Sequence, residues 1–152
     1  MNLNWQIKHY TELTTTEFHD LIALRIKVFV VEQNCSYQEL DGKDKKSYHI
    51  ICRNGKGDIV ATGRILPPGI SYTTPSIGRV VIEKDTRGKN IGHELMSKCV
   101  DFSLLEFGND IITISAQKHL EKYYNHHGFK STGKEYHEDG IPHIEMTYSP
   151  NK

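Results

Sequence analysis

The chain has little of what marks a secreted, membrane-bound or nucleic-acid-binding protein. Its three cysteines, Cys35, Cys52 and Cys99, are odd in number and widely spaced, which suits neither a disulfide framework nor a Cys-x-x-Cys metal site. It has no charge surplus, because 19 Lys and Arg balance 19 Asp and Glu, whereas binding by phosphate neutralisation needs a basic excess or stripe. Its apolar runs, such as Val28-Phe29-Val30-Val31, fall far short of the ~20 residues that cross a bilayer. Residues Met1 to Gln6 lack a basic segment followed by an apolar stretch, so a cytoplasmic protein with no membrane or nucleic-acid partner is expected. No repeat or low-complexity linker interrupts the 152 residues, and the length suits one domain spanning 1–152.

Histidine, by contrast, is abundant, with nine copies. His93-Glu94 begins like a zinc-protease helix, but the residue four beyond His93 is Ser97. His126 and His127 are adjacent and point to different sides of a helix. No metal is expected.

Periodicity lays out the elements. Trp5 to Tyr10 alternates like a strand. Thr14 and Glu17 have capping-box spacing, and Phe18, Leu21, Ile22, Arg25, Val28 and Phe29 recur at helical spacing, predicting one long helix to about Gln33. The polar stretch Asn34 to Lys46 reads as a loop. Tyr48–Arg53 and Ile59–Leu66 flank Asn54-Gly55-Lys56-Gly57-Asp58, a hairpin signature. Ile77 to Ile82 reads as a buried strand, and Ile91, Leu95, Met96, Cys99, Val100, Leu104 and Phe107 mark one face of a second long helix ending near Gly108. A strand at Ile111–Ser115, a short helix from Leu120 to His127 and two strands joined at Asp139-Gly140 complete the order β-α-β-β-β-α-β-α-β-β. The fold class is α/β of the α+β type, with a mixed sheet of about seven strands flanked by helices.

The segment Arg87-Gly88-Lys89-Asn90-Ile91-Gly92 lies between a buried strand and an amphipathic helix. Free backbone N–H groups at a helix N-terminus, the helix dipole and close-approach glycines make such a segment a phosphate site, and Arg87 and Lys89 add positive charge. Its spacing fits neither Gly-x-x-x-x-Gly-Lys-Ser/Thr nor Gly-x-Gly-x-x-Gly, which weakens nucleoside triphosphate and dinucleotide readings.

This strand-loop-helix resembles motif A of the GNAT acetyltransferase superfamily, with Asn90 where the middle glycine is usual. Asn tolerates the left-handed backbone better than most residues. Leu120-Glu121-Lys122-Tyr123-Tyr124-Asn125-His126-His127-Gly128-Phe129 is similar to the family's motif B. Leu24 to Gln33, Asp41-Gly42 and Glu138 to Met146 resemble the ElaA-type branch. The resemblance implies a GNAT fold with splayed parallel strands 4 and 5, and acetyl-CoA as co-substrate with no metal. It implies a pantetheine arm along the backbone of Val80, Val81 and Ile82, and Tyr124 as proton donor to the CoA sulfur. The plainer reading of Tyr124, as of Tyr123, is a ring packed in the core.

Amide formation from a thioester needs a neutral amine, donors for the oxyanion and a proton for the leaving thiolate. Glu32 and His143 are the candidate bases. Glu32 could equally cap a turn or pair with Arg25, and a strand histidine such as His143 is commonly structural. Arg64 and Arg79 lie inside strands, where sheet-surface ion pairing is the plain reading; the sharper one puts them in the acceptor cleft with Asp41 and His49. Lys134 to Glu145 carries a local charge of −3, an acidic wall suited to an amine or simply a solvated hairpin. Cys99 falls on an apolar helix face and Cys35 has no neighbour that would lower its pKa, which favours direct transfer in a ternary complex. The expected activity is acetyl transfer from acetyl-CoA to a primary amine of a small molecule or peptide. A non-catalytic acyl-CoA-binding or sensing module and a site for another phosphorylated ligand remain as alternatives, and a homodimer is left open.

Overall fold

The computed structural model describes residues 2–108 and 110–150, so the two ends of the expected 1–152 domain lie outside the described residues. Ten principal elements follow in the expected order: β1 (Asn4–His9), α1 (Thr15–Arg25), β2 (Tyr48–Arg53), β3 (Ile59–Leu66), β4 (Ser76–Ile82), α2 (Ile91–Phe107), β5 (Ile112–Gln117), α3 (Glu121–His126), β6 (Phe129–Glu138) and β7 (Ile141–Tyr148). The strands form one sheet in the order β1-β2-β3-β4-β5-β7-β6. Every neighbouring pair is antiparallel except β4 and β5. No helix among the described residues is long and apolar enough to cross a membrane.

The capping box forms as the sequence predicts: Glu17 N–H donates to Thr14 Oγ1 and Thr14 N–H to Glu17 Oε1, both at 3.0 Å. The helix beyond it does not continue as α-helix to Gln33. After Arg25 it widens into a π-helical segment, Ile26–Glu32, with Gln33 N–H bonded to Val28 O and Cys35 N–H to Val30 O at 3.0 Å. Ile26, Val28, Val30 and Val31 are β-branched and crowd a tight turn, and the wider winding turns Phe29, Glu32 and Gln33 toward a cleft.

The sheet separates two apolar clusters. Leu95, Met96 and Cys99 of α2 pack with Ile50, Ile65, Ile112, Ile114, Phe129 and Met146, and Val80 joins them. Its neighbour Val81 packs instead with Leu24 and Val28, as alternation along a strand requires. Helices thus cover both faces near β4. Burying Leu95 or Met96, each 0% exposed, stabilises by about 1.5–3 kcal/mol per side chain. Gly128, at φ +88°, closes α3 where a Cβ would lie 3.0 Å from the Tyr148 ring, so only glycine fits that turn.

Candidate active site

β4 and β5 share one ladder pair, Ser76 with Thr113. Thr113 N–H also bonds Pro75 O at 3.0 Å, and the Thr74 and Thr113 hydroxyls meet at 2.7 Å. Beyond that point the strands part and open a cleft of about 940 Å³, ample for an extended ligand. The β4 side of the cleft carries a bulge. Thr62 faces Val81 and Arg64 faces Gly78, so two β4 residues oppose Gly63 alone and one is left without a ladder partner. Arg79 has φ +50° there, an uncommon backbone for a non-glycine residue and one that accumulates at functional sites.

At the far end of β4, residues Arg87 to Gly92 lead into α2. Gly88 has φ +88° and Asn90 φ +61°, and Asn90 precedes α2 without a side-chain cap. The first N–H groups of the helix therefore stay available to an anion. Gly88, Lys89 and Asn90 are exposed, whereas Ile91 buries its side chain in the core and contributes only its backbone. Arg87 donates through Nε to Ile82 O at 2.9 Å and grips Glu32 through both terminal nitrogens at 2.7 and 3.1 Å. A Cβ at Gly92 would lie 3.2 Å from Ile82 and 3.6 Å from the Tyr123 ring.

Tyr123 and Tyr124 line the same cleft but differ in their bonding. Tyr123 donates its hydroxyl to Gly92 O at 2.6 Å, tying α3 to the first turn of α2. Among the described residues no hydrogen bond engages the Tyr124 hydroxyl. Burial, with the neighbouring Cys99, pushes the Tyr124 phenol up to about 12. It is thus held as a protonated donor at neutral pH.

The remaining expected residues separate sharply. Glu32 does line the cleft, yet it pairs with Arg87, not Arg25, and the Arg87 hydrogen bond holds its carboxyl below the ordinary range, which makes it a poor base. His49 is not on the cleft: it is 1% exposed, and its Nε2 bonds Asp44 O at 3.1 Å. Burial pushes its imidazole down, against the pull of Asp44. His143 does front the cleft, with Nδ1 2.7 Å from Ile141 O. A carbonyl only accepts, so Nδ1 carries a proton and it is Nε2 that is turned to the cleft.

Arg64 and Arg79 belong to an ion network that no local pattern announced. Arg25, 1% exposed, bonds Glu39 through Nε and Asp44 through both terminal nitrogens at 2.7 and 3.2 Å. Arg64 holds Asp41 at 2.8 and 3.1 Å and Asp44 at 3.3 Å. Arg79 holds Glu39 at 3.1 Å and lies over the Tyr37 ring. Three guanidiniums thus match three carboxylates, and the loop after the first helix is clamped onto β3 and β4. Burial would raise the Asp41 carboxyl, but the Arg64 bonds and charge, the Lys43 N–H and Arg79 outweigh it and hold it at about 2. The sequence signal for this network was the need of two strand arginines for partners in a loop whose acids are Glu39, Asp41 and Asp44.

Cys99 is buried, and burial alone pushes its thiol up to about 12. Cys35 lines the cleft with Sγ 3.5 Å from Asp139 O. His93 Nδ1 meets His127 Nε2 at 2.8 Å, yet no group of three or more His, Cys, Asp or Glu among the described residues is arranged to hold a metal ion.

Residues 13–150 match the family pattern described as an acetyltransferase (GNAT) domain. The chain belongs to the GNAT family. A UPF0039 protein of Synechocystis is 38% identical over 148 residues, covering 97% of this chain and 96% of the relative. The ElaA protein of Escherichia coli is 38% identical over 145 residues, covering 95% of each, and its crystal structure superposes with a TM-score of 0.90. The crystal structure of an acyl-CoA N-acyltransferase from Pseudomonas aeruginosa gives a TM-score of 0.92 at 38% identity, over 97% of this chain and 100% of the other. This GNAT protein therefore sits in the ElaA-like branch.

Proposed function

We propose that the protein transfers an acetyl group from acetyl-CoA to a primary amine by direct attack in a ternary complex. One observation carries this reading: a single cleft joins a helix N-terminus with free N–H groups, a bulged β4, a phenol with no hydrogen-bond partner among the described residues and a histidine whose Nδ1 is held by a backbone carbonyl. The N–H groups of Gly88 to Gly92 and the charges of Lys89 and Arg87 would hold the pyrophosphate. The backbone of Val80, Val81 and Ile82 would align the pantetheine arm and polarise the thioester carbonyl. His143 Nε2 takes the proton from the amine as the C–N bond forms. Tyr124 gives its proton to the sulfur as the C–S bond breaks, so the products are an amide and free CoA thiol. Arg64, Arg79 and Asp41 shape the acceptor wall through their mutual pairing rather than by gripping the acceptor. Cys35 has no step in this scheme.

The decisive experiment follows thiol release from acetyl-CoA over a panel of small amines, polyamines, amino acids and peptides, with a control lacking acceptor. Acceptor-dependent release is expected, and Tyr124→Phe should lower kcat about 10²-fold while leaving CoA affinity near that of the native protein. Saturable acetyl-CoA binding with no release for any amine would instead favour a sensing module.

A further inference from the structure

The acidic stretch Lys134 to Glu145 sorts itself into spent and unspent charges. Glu135 is taken by Lys118 at 2.6 Å, and Glu145 accepts from the Thr132 hydroxyl at 3.0 Å. Glu138 and Asp139 front the cleft. The two oxygens of Glu138 are differently placed. Ser115 Oγ lies 3.0 Å from Glu138 Oε1 and 2.6 Å from the Tyr136 hydroxyl. Because a carboxylate only accepts, Ser115 donates to Glu138, and Tyr136 must then donate to Ser115. This two-step chain fixes Oε1 and leaves Oε2 turned toward His143 Nε2, 3.6 Å away.

His143 is fixed as firmly from its own side. Its side chain is 10% exposed, its Nδ1–H is spent on Ile141 O, and its ring stacks on Tyr136 at an interplanar angle of 20°. Neighbouring strands supply the groups: Ser115 on β5, Tyr136 and Glu138 on β6, His143 on β7. With the histidine neutral, two acceptor atoms, Glu138 Oε2 and His143 Nε2, face each other with no donor between them. The ligand that suits such a pair is a compact cation with several N–H bonds diverging from one atom. A primary alkylammonium meets that description.

We propose that Glu138 Oε2 and His143 Nε2 together form the seat of the acceptor's ammonium group, so that the acceptor class is an aliphatic amine that arrives protonated. The proposal rests on His143 as the base of the acyl transfer. Glu138 binds the cation, one ammonium proton passes through His143 Nε2 to solvent, and the neutral amine left beside Glu138 is the nucleophile, whose next proton His143 takes on attack. The proton count balances: the first proton leaves the ammonium through His143 to solvent, the second passes to His143 as the C–N bond forms, and Tyr124 protonates the departing sulfur. Weakly basic amines, which arrive neutral, would gain nothing from Glu138.

The test uses the free protein without acyl-CoA. The His143 imidazole nitrogens are followed by NMR at constant pH and ionic strength during titration with n-butylammonium chloride, with 1-butanol and sodium chloride as controls. A saturable shift with n-butylammonium alone is expected, weakened about tenfold in Glu138→Gln, as loss of one charged hydrogen bond dictates. Glu138 is half exposed at a hairpin end, so this isosteric change leaves the fold intact. No saturable shift, an equal shift with 1-butanol, or equal binding by native protein and Glu138→Gln would each overturn the seat. Persistence of a protonated His143 that n-butylammonium cannot displace would identify a plain internal ion pair and also overturn it. Thiol release with any amine would still stand in those cases, so failure of the seat and failure of the acyltransferase reading are told apart.

Discussion

Replacing Arg25 by Met removes the centre of the buried ion network while keeping most of the side-chain volume. Arg25 makes three charge-assisted bonds, to Glu39 and to both oxygens of Asp44, and all three side chains are 4% exposed or less. Without it Glu39 retains Arg79 and Tyr37, and Asp44 retains Arg64 at 3.3 Å, so two buried carboxylates share the guanidiniums that Asp41 also needs. Removing one partner from a buried ion cluster costs about 3–5 kcal/mol. That is a large share of the roughly 5–15 kcal/mol that holds a domain folded, and at this chain length it lowers Tm by about 6–20 °C. Urea unfolding at pH 7 measures it directly. The double variant Arg25→Met, Glu39→Gln should recover part of the loss, because it deletes one carboxylate left short of a partner. A loss under about 1 kcal/mol in the single variant would show that the carboxylates find other partners and that the clamp is not what holds the loop.

Two further outcomes follow from charges placed at the cleft and beside it. Glu32→Gln should release Arg87 toward the phosphate loop and tighten CoA binding at low salt, with the pH profile of turnover unchanged; calorimetry of CoA binding checks it, and unaltered or weaker binding would refute the competition. Acid should unfold the protein as the pH falls from about 4.5 to about 2, because Asp41 and Glu17 are both held at about 2 in the fold. A depressed carboxyl contributes stability above its unfolded pKa and loses it as the pH falls through the folded one, about 1 kcal/mol for Asp41 once solvent screening of this partly exposed group is allowed for. Circular dichroism against pH should show that slope, flattened in Asp41→Asn.

Elements whose information is local were legible from the sequence. The Thr14 and Glu17 box, the Asn54 to Asp58 turn and the Asp139-Gly140 turn each report on a few neighbouring residues, and they fix strand and helix order well enough to place β4 before the phosphate loop. The switch from α to π winding at Ile26 was not legible, because its β-branched residues keep helical spacing while changing the hydrogen-bond step. Gly78-Arg79 inside a strand was a readable sign of the bulge, since glycine within a strand commonly marks one.

What stayed hidden is pairing across the chain. Arg25 is 14 residues from Glu39 and 19 from Asp44, and nothing in periodicity selects those partners over Glu32, the pairing the sequence suggested. The hidden part bears directly on the chemistry. Glu39 anchors both Arg25 and Arg79, and Arg79 sits at the bulge whose backbone would face the thioester. The loop that would wall the acceptor end therefore also braces the strand proposed to receive acyl-CoA. A change at Arg25, Glu39 or Arg79 should consequently move the CoA dissociation constant and the acceptor KM together, whereas Glu138→Gln should move only the acceptor side. Independent responses in the Arg25 variant would break that link between the two halves of the cleft.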